Sequence, residues 1–285
     1  MIEIPNGWRD YVLLDAGDGE KLELWGKVKV IRPDPQAFWP QSYKWEKPDM
    51  HYHRSASGGG SWEYLSKNVP ETWGVNYRGM KFKIRPTGFK HMGLFPEQAI
   101  GWRWIGEKVK NSTKTPRILN LFAYTGGATV AAIKNGADVT HVDASKGMNA
   151  WAKENIHLSG LSKSKHRVLT DDVLKFVQRE CRRGNKYDGV IMDPPVFGRG
   201  PGGELWKLDE KLFDLVRACS DLLSHEPLFF AINAYTAGFS PYAFSNVLSL
   251  GLSKKLQGTT SVGEIGIEAK SGVVLPCGVY ARWEP

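Results

Sequence analysis

From Arg117 onward the chain repeats one pattern: a short apolar run, a turn, then an amphipathic stretch long enough for a crossover helix. Apolar runs joined in this way are the strands of a parallel sheet covered on both faces by helices. The alternation predicts strands near Arg117–Phe122, Val139–Asp143, Arg167–Thr170, Gly189–Met192 and Leu228–Asn233. It predicts helices near Gly127–Asn135, Lys146–Ser159, Val173–Arg183 and Asp209–Leu223. The tail breaks this rhythm, and Ile265–Ala269 with Val273–Trp283, joined by Lys270-Ser271-Gly272, reads as an antiparallel closing hairpin.

Before about Lys90 the composition is different, rich in Trp, Pro and Gly. Short alternations at Lys21–Trp25 and Lys27–Ile31 read as strands, Trp73–Ile84 as a hairpin, and Ser57-Gly58-Gly59-Gly60-Ser61 as a flexible loop. The 285 residues therefore divide into a β-rich accessory unit for substrate recognition over 1–90 and an α/β catalytic domain over 91–285. The start of the chain has no cationic patch leading into an apolar run, and no apolar stretch is long enough to cross a bilayer, so no membrane partner and a cytoplasmic location are expected. Cys181, Cys219 and Cys277 lack CxxC spacing, which points to buried thiols rather than a zinc site or a disulfide framework, and no metal is expected. A net charge of +8 suits an anionic partner and equally suits a solvated basic surface.

In an open α/β sheet the ligand sits beyond the carboxyl ends of the strands, where strand order reverses. Four of those ends carry suggestive residues. The first runs Asn120-Leu121-Phe122-Ala123-Tyr124-Thr125-Gly126-Gly127, where glycine allows close backbone approach. It does not spell GxGxxG, which disfavours a dinucleotide. The second ends Asp143-Ala144-Ser145, with Asp143 placed to accept from both hydroxyls of a ribose. The third ends Asp171-Asp172, and Asp172 is either an acceptor for an adenine amino group or a plain helix N-cap. The fourth ends Asp193-Pro194-Pro195-Val196-Phe197; two prolines lack donors and fix the chain, so Asp193 is held in a rigid turn while Phe197 offers a face for a flipped base.

Taken in order, NLFAYTGG, HVDAS, DD and DPPVFGRG resemble the class I S-adenosylmethionine-dependent methyltransferases. GLFPEQ at Gly93–Gln98, the DPPxF variant and LPCGVYARW near the C-terminus are similar, more narrowly, to the large-subunit 23S rRNA methyltransferases, a family with cytosine-5 and guanine methylating members. The resemblance runs from about Phe89 to the C-terminus. It implies a Rossmann-like sheet with an antiparallel C-terminal hairpin, S-adenosylmethionine as cofactor and ribosomal RNA as partner. It implies further that Phe95, Pro96, Glu97 and Gln98 help enclose the cofactor, that Asn120 to Gly127 pass its methionine end, that Asp143, Ala144 and Ser145 hold the ribose, and that Asp171 and Asp172 hold the adenine. Asp193, Pro194, Pro195 and Phe197 would face the target, with Asp193 also against the cofactor.

Cytosine-5 chemistry on RNA needs a cysteine nucleophile. The fifth strand ends Phe230-Ala231-Ile232-Asn233-Ala234-Tyr235-Thr236, without the cysteine that the family's cytosine-5 enzymes carry there, so a nitrogen target is preferred. Aromatic and basic residues interleave at Trp39, Tyr43-Lys44-Trp45, His51-Tyr52-His53-Arg54, Tyr77-Arg78 and Trp102-Arg103-Trp104, either to stack unpaired bases or to fill a small β core. The glycine-rich run Phe197–Trp206 reads as a mobile substrate lid or a solvent loop. No separate RNA-binding module stands at the front, which leaves a protein or small-molecule methyl acceptor, and a non-catalytic RNA-binding protein that retains the fold, as alternatives.

Overall fold

The computed structural model describes residues 2–55, 59–235 and 238–285. The chain divides into two compact units, one of Glu3–Ile100 with Ile265–Cys277, the other built mainly of Gly101–Glu264 with Gly278–Pro285.

After the short β1 (Ile2–Glu3), the first unit holds β2 (Tyr11–Gly17), β3 (Glu20–Trp25), β4 (Val28–Pro33), β5 (Met50–Arg54) and β6 (Gly60–Tyr64) in one sheet of that order, and a separate hairpin of β7 (Trp73–Tyr77) and β8 (Met80–Ile84). Asp18-Gly19 and Arg78-Gly79 close two of the turns with φ positive at both residues, the backbone that lets a two-residue loop follow the twist of its strands. Of the predicted glycine loop, Gly60 and Ser61 instead begin β6 and pair with β5, while Ser57 and Gly58 lie outside the described residues. Trp25, Tyr52, Tyr77, Phe82, Met50 and Ile84 form the core of this unit.

The tryptophans with half-exposed rings act as pins. Trp39 donates its indole N–H to the Ala16 carbonyl, Trp45 to Asp15, Trp62 to the Thr87 carbonyl and Trp73 to the Trp25 carbonyl. Of the two readings open for these aromatics, a β core is the one their contacts support. Phe38 and Tyr43 are the neighbours left facing solvent, at 86% and 46% exposed.

One buried ion pair ties β3 to β4. Arg32 Nε and Nη2 donate to both oxygens of Glu23, at 2.6 and 2.7 Å, and the Tyr11 hydroxyl donates to Glu23 as well. Burial alone would raise the Glu23 carboxyl; the charges of Arg32 and Lys21 and these hydrogen bonds overcome it and hold the group at about 2. Arg32→Leu leaves a carboxylate stranded in the core and is expected to cost about 3–5 kcal/mol in urea unfolding. As pH falls, the unfolded chain protonates Glu23 first, so the stability it confers is full above its ordinary value of 4.5 and is lost as pH drops through about 2. The variant should lose that acid-side slope.

The second unit continues with α1 (Ala99–Lys110), β9 (Arg117–Leu121), α2 (Gly127–Lys134), β10 (Asp138–Asp143), α3 (Lys146–Leu158), β11 (His166–Thr170), α4 (Val173–Arg182), β12 (Gly189–Met192), β13 (Phe197–Arg199), β14 (Leu205–Lys207), α5 (Leu208–Ser220), β15 (Phe229–Ala234) and α6 (Pro241–Gly251). It closes with β16 (Thr259–Glu268) and β17 (Val274–Glu284), whose turn end belongs to the first unit. The sheet order is β1-β16-β17-β15-β12-β9-β10-β11, parallel from β15 to β11 and antiparallel where β17 meets β15. Strand order therefore reverses at β9, and the carboxyl ends of β9, β10, β12 and β15 share one edge.

Leu119, Leu121, Val190, Met192, Phe230 and Ile232 pack one face of the sheet against α4, α5 and α6. On the other face Trp104 of α1 meets Phe229 at 5.1 Å between ring centroids. Three elements differ from expectation. The helix predicted to reach Leu223 ends at Ser220, because Leu223 forms an isolated parallel bridge with Tyr187. Trp102-Arg103-Trp104 lies on a helix and not in a stacking loop. The Phe197–Trp206 run, read as a lid or solvent loop, forms most of a short hairpin, with Phe197 opposite Lys207 and Arg199 opposite Leu205.

Candidate active site

The turn after β9 is held from both sides. Asn120, buried on the strand, donates Nδ2–H to Thr129 Oγ1 at 2.9 Å, and that oxygen lies 2.9 Å from His141 Nδ1. Burial pushes His141 down to about 4, so the imidazole is neutral and can accept the threonine proton. Phe122, Tyr124 and Gly126 all have positive φ. Two aromatic residues in the left-handed region cost on the order of 1–3 kcal/mol each, and such strain collects where a backbone is shaped for a ligand. It is held by Ala123 N–H to the Val142 carbonyl, Tyr124 N–H to Asp143 Oδ2 and Asn155 Nδ2–H to the Thr125 carbonyl.

The two glycines have a reason different from the expected one. A Cβ on Gly126 would stand 3.1 Å from the Ala152 Cβ, and one on Gly127 only 2.5 Å from the Trp102 ring. Protein, not open space for a ligand, fills the room beside them. Gly126 also carries φ of +85°, which favours glycine on its own.

Asp143 ends β10 with one backbone donor on each oxygen: Ser145 N–H on Oδ1 and Tyr124 N–H on Oδ2, both at 2.8 Å. Burial pushes its carboxyl above the ordinary value, with the two N–H groups pulling the other way. Each carboxylate oxygen keeps a lone pair for a further donor. Ser145 caps α3, accepting from Met148 N–H, and Ala144 links the two without a polar side chain. Asn149 locks the neighbourhood by donating Nδ2–H to the Asp143 and Leu169 carbonyls and Thr170 Oγ1.

At the end of β11, Asp171 pairs with Arg179. Asp172 caps α4, its Oδ1 accepting from Lys175 N–H at 2.9 Å, so the capping alternative holds for that oxygen. Its Oδ2 faces the hairpin tip, where a Cβ on Gly200 would approach it to 2.9 Å. Glu204 from the same tip pairs with Lys175.

The turn after β12 is clamped by a residue that sequence reasoning passed over. Trp206 Nε1–H donates to the Pro195 carbonyl at 2.7 Å and its ring lies 4.7 Å from that of Phe122, joining the Pro194-Pro195 turn to the β9 turn. Leu208 N–H donates to the Val196 carbonyl. Phe197 stands 56% exposed on β13. Asp193 is close enough to Tyr235, past the end of β15, that burial and then the aspartate charge push the phenol up to about 12. No cysteine stands at these strand ends. Cys219 is buried on α5 and Cys277 lies on β17, and burial raises both thiols well above the ordinary value; Cys181 is on α4. Thr236 lies outside the described residues.

Phe95, Pro96, Glu97 and Gln98 belong to the first unit, where Pro96–Gln98 forms a 3-10 turn. Trp8 donates its indole N–H to the Pro96 carbonyl, and burial raises the Glu97 carboxyl against the pull of Lys21.

A family model described as S-adenosylmethionine-dependent methyltransferase matches residues 39–245. The chain belongs to the S-adenosylmethionine-dependent methyltransferases. A crystal structure of such a methyltransferase from Agrobacterium tumefaciens shares 37% identity with a TM-score of 0.95, over 100% of this chain and 93% of that one. A methyltransferase from Streptococcus mutans, 18% identical, superposes with a TM-score of 0.76 over 98% and 76% of the two chains and shares the fold. Ribosomal RNA large subunit methyltransferase K/L of Shewanella baltica is 38% identical over 147 residues, 51% of this chain but 19% of that protein. The chain thus matches about a fifth of the length of these curated relatives. The methyltransferase uses S-adenosylmethionine, and the desolvated Asp143 carboxylate with spare lone pairs beside a strained glycine turn fits that group. No helix among the described residues is long and apolar enough to cross a membrane.

Proposed function

We propose that this methyltransferase modifies a base nitrogen of structured RNA, with ribosomal RNA as the substrate. The observation that carries the reading is the makeup of the target edge: Asp193 held by a proline turn, Tyr235 beside it, and no cysteine on β9, β10, β12 or β15, while burial raises the thiol of Cys277 on the adjoining β17. The similarity to the ribosomal RNA large subunit methyltransferase K/L of Shewanella baltica and the net charge of +8 support RNA as the acceptor.

The cofactor supplies an already activated methyl group, so the chain's task is alignment. Asp143 accepts from the ribose hydroxyls, and Asn120 to Gly127 shape the wall at the methionine end. Asp172 Oδ2 is the remaining acceptor for an adenine amino group, with the Gly200 tip beside it. Asp193 orients the attacking nitrogen by accepting its N–H, the Pro194-Pro195 turn keeps that carboxylate from swinging, and the exposed ring of Phe197 stacks the extruded base. For Phe95 to Gln98 the cofactor role rests on the resemblance of GLFPEQ. The front residues, 1–90, are assigned to substrate recognition, with Phe38 and Tyr43 as the rings free to stack unpaired bases.

Transfer of tritiated methyl from S-adenosylmethionine into RNA and protein fractions of cells lacking this gene tests the reading. Label in ribosomal RNA supports it; label confined to protein overturns it.

A further inference from the structure

Asn233 is the last but one residue of β15, at the same sheet edge. It is 5% exposed, and its amide oxygen is sealed from solvent with no hydrogen-bond partner among the described residues. A buried oxygen left unpaired in this way destabilises a fold, a cost that an apolar side chain at the same place would avoid. Such a group calls for an explanation, and its location supplies one.

Met192 pairs with Ile232 in parallel register, so Asp193, which directly follows β12, and Asn233 follow paired residues at neighbouring strand ends. On the other flank Asn233 pairs with Tyr280, whose ring is already covered by the Arg282 guanidinium at 4.0 Å. Two residues further along the chain, just past the end of β15, stands Tyr235, a protonated phenol at neutral pH. Around the aspartate that faces the methyl acceptor the chain therefore gathers an amide with an unpaired oxygen and a phenol.

We infer that Asn233 reads the target base, its amide oxygen accepting an N–H from the base edge next to the nitrogen that is methylated. This rests on the RNA reading above. A primary amide sets an acceptor and a donor side by side, the pattern complementary to a base edge that offers an N–H next to an acceptor. The hydrogen bond forms only when the base is seated, so the oxygen stays unpaired in the free enzyme and contributes to discrimination in the complex.

The test compares the full-length wild type with Asn233→Leu and Asn233→Ala in three measurements: thermal unfolding, S-adenosylmethionine binding by calorimetry, and kcat/KM for RNA. Two apolar sizes separate a lost hydrogen bond from a filled pocket. Both variants are expected to bind the cofactor as the wild type does, and Asn233→Leu to unfold no earlier, while kcat/KM for RNA falls roughly 10- to 100-fold in both. A wild type active on RNA with both variants equally active overturns this inference alone. Losses of cofactor binding and melting temperature that track the loss of activity also overturn it, since they mark a structural residue. A wild type that is silent on RNA overturns the RNA reading, and this inference with it.

Discussion

Asp193→Ala is expected to lower single-turnover methyl transfer by roughly 10²- to 10⁴-fold, the range spanned by losing a positioned group that handles the reacting proton. The turn itself should survive, because its shape comes from Pro194 and Pro195 and from the Trp206 indole on the Pro195 carbonyl, none of which involves the aspartate side chain. Circular dichroism and melting temperature should therefore stay near wild type. A variant that keeps wild-type turnover removes Asp193 from the chemistry.

The second large effect falls on cofactor affinity. Asp143→Ala takes away the acceptor proposed for two ribose hydroxyls and also strands the backbone N–H groups of Tyr124 and Ser145. Hydrogen bonds to a charged acceptor contribute about 1.5–3 kcal/mol each, so Kd for S-adenosylmethionine should rise by at least about 100-fold in calorimetry. Asp143→Asn keeps the shape and one acceptor and should fall between. Since Tyr124 holds a left-handed conformation with Asp143 as its partner, the alanine variant should also unfold earlier. Unchanged affinity in both variants would move the ribose elsewhere.

The second half of the fold was readable because a buried parallel strand and a crossover helix differ in length and period. Gly189–Met192 was placed to the residue, and β9, β10, β11 and β15 to within one residue at either end. Two helices went unplaced for opposite reasons. In α1 the tryptophans and glycines of Ala99–Lys110 blur the helical stripe, and they drew attention as a stacking motif instead. In α6 the start signal was present, Ser240 capping and Pro241 at the first position, but the apolar residues surround the helix rather than line one face. In the front unit Tyr11–Gly17 and Met50–Arg54 were missed because Asp15 and two histidines interrupt the alternation.

At the site, a motif announces a residue whose own side chain is proposed to carry the chemistry, as with Asp143 and Asp193. Trp206 was hidden within a glycine-rich run, and its work depends on a carbonyl eleven residues earlier in the chain. His141 drew no separate reading, although it completes the buried line from Asn120 through Thr129. Asn233 could not be read at all, because what distinguishes it is a partner that its neighbours do not provide.

The most direct measurement is nucleoside analysis by mass spectrometry of ribosomal RNA, extracted from cells lacking the gene and incubated with the enzyme and methyl-labelled S-adenosylmethionine. Label in a nucleoside methylated on a base nitrogen, absent when Asp193→Ala is used, is the predicted result. Label in 5-methylcytosine, or in protein with none in RNA, would contradict it.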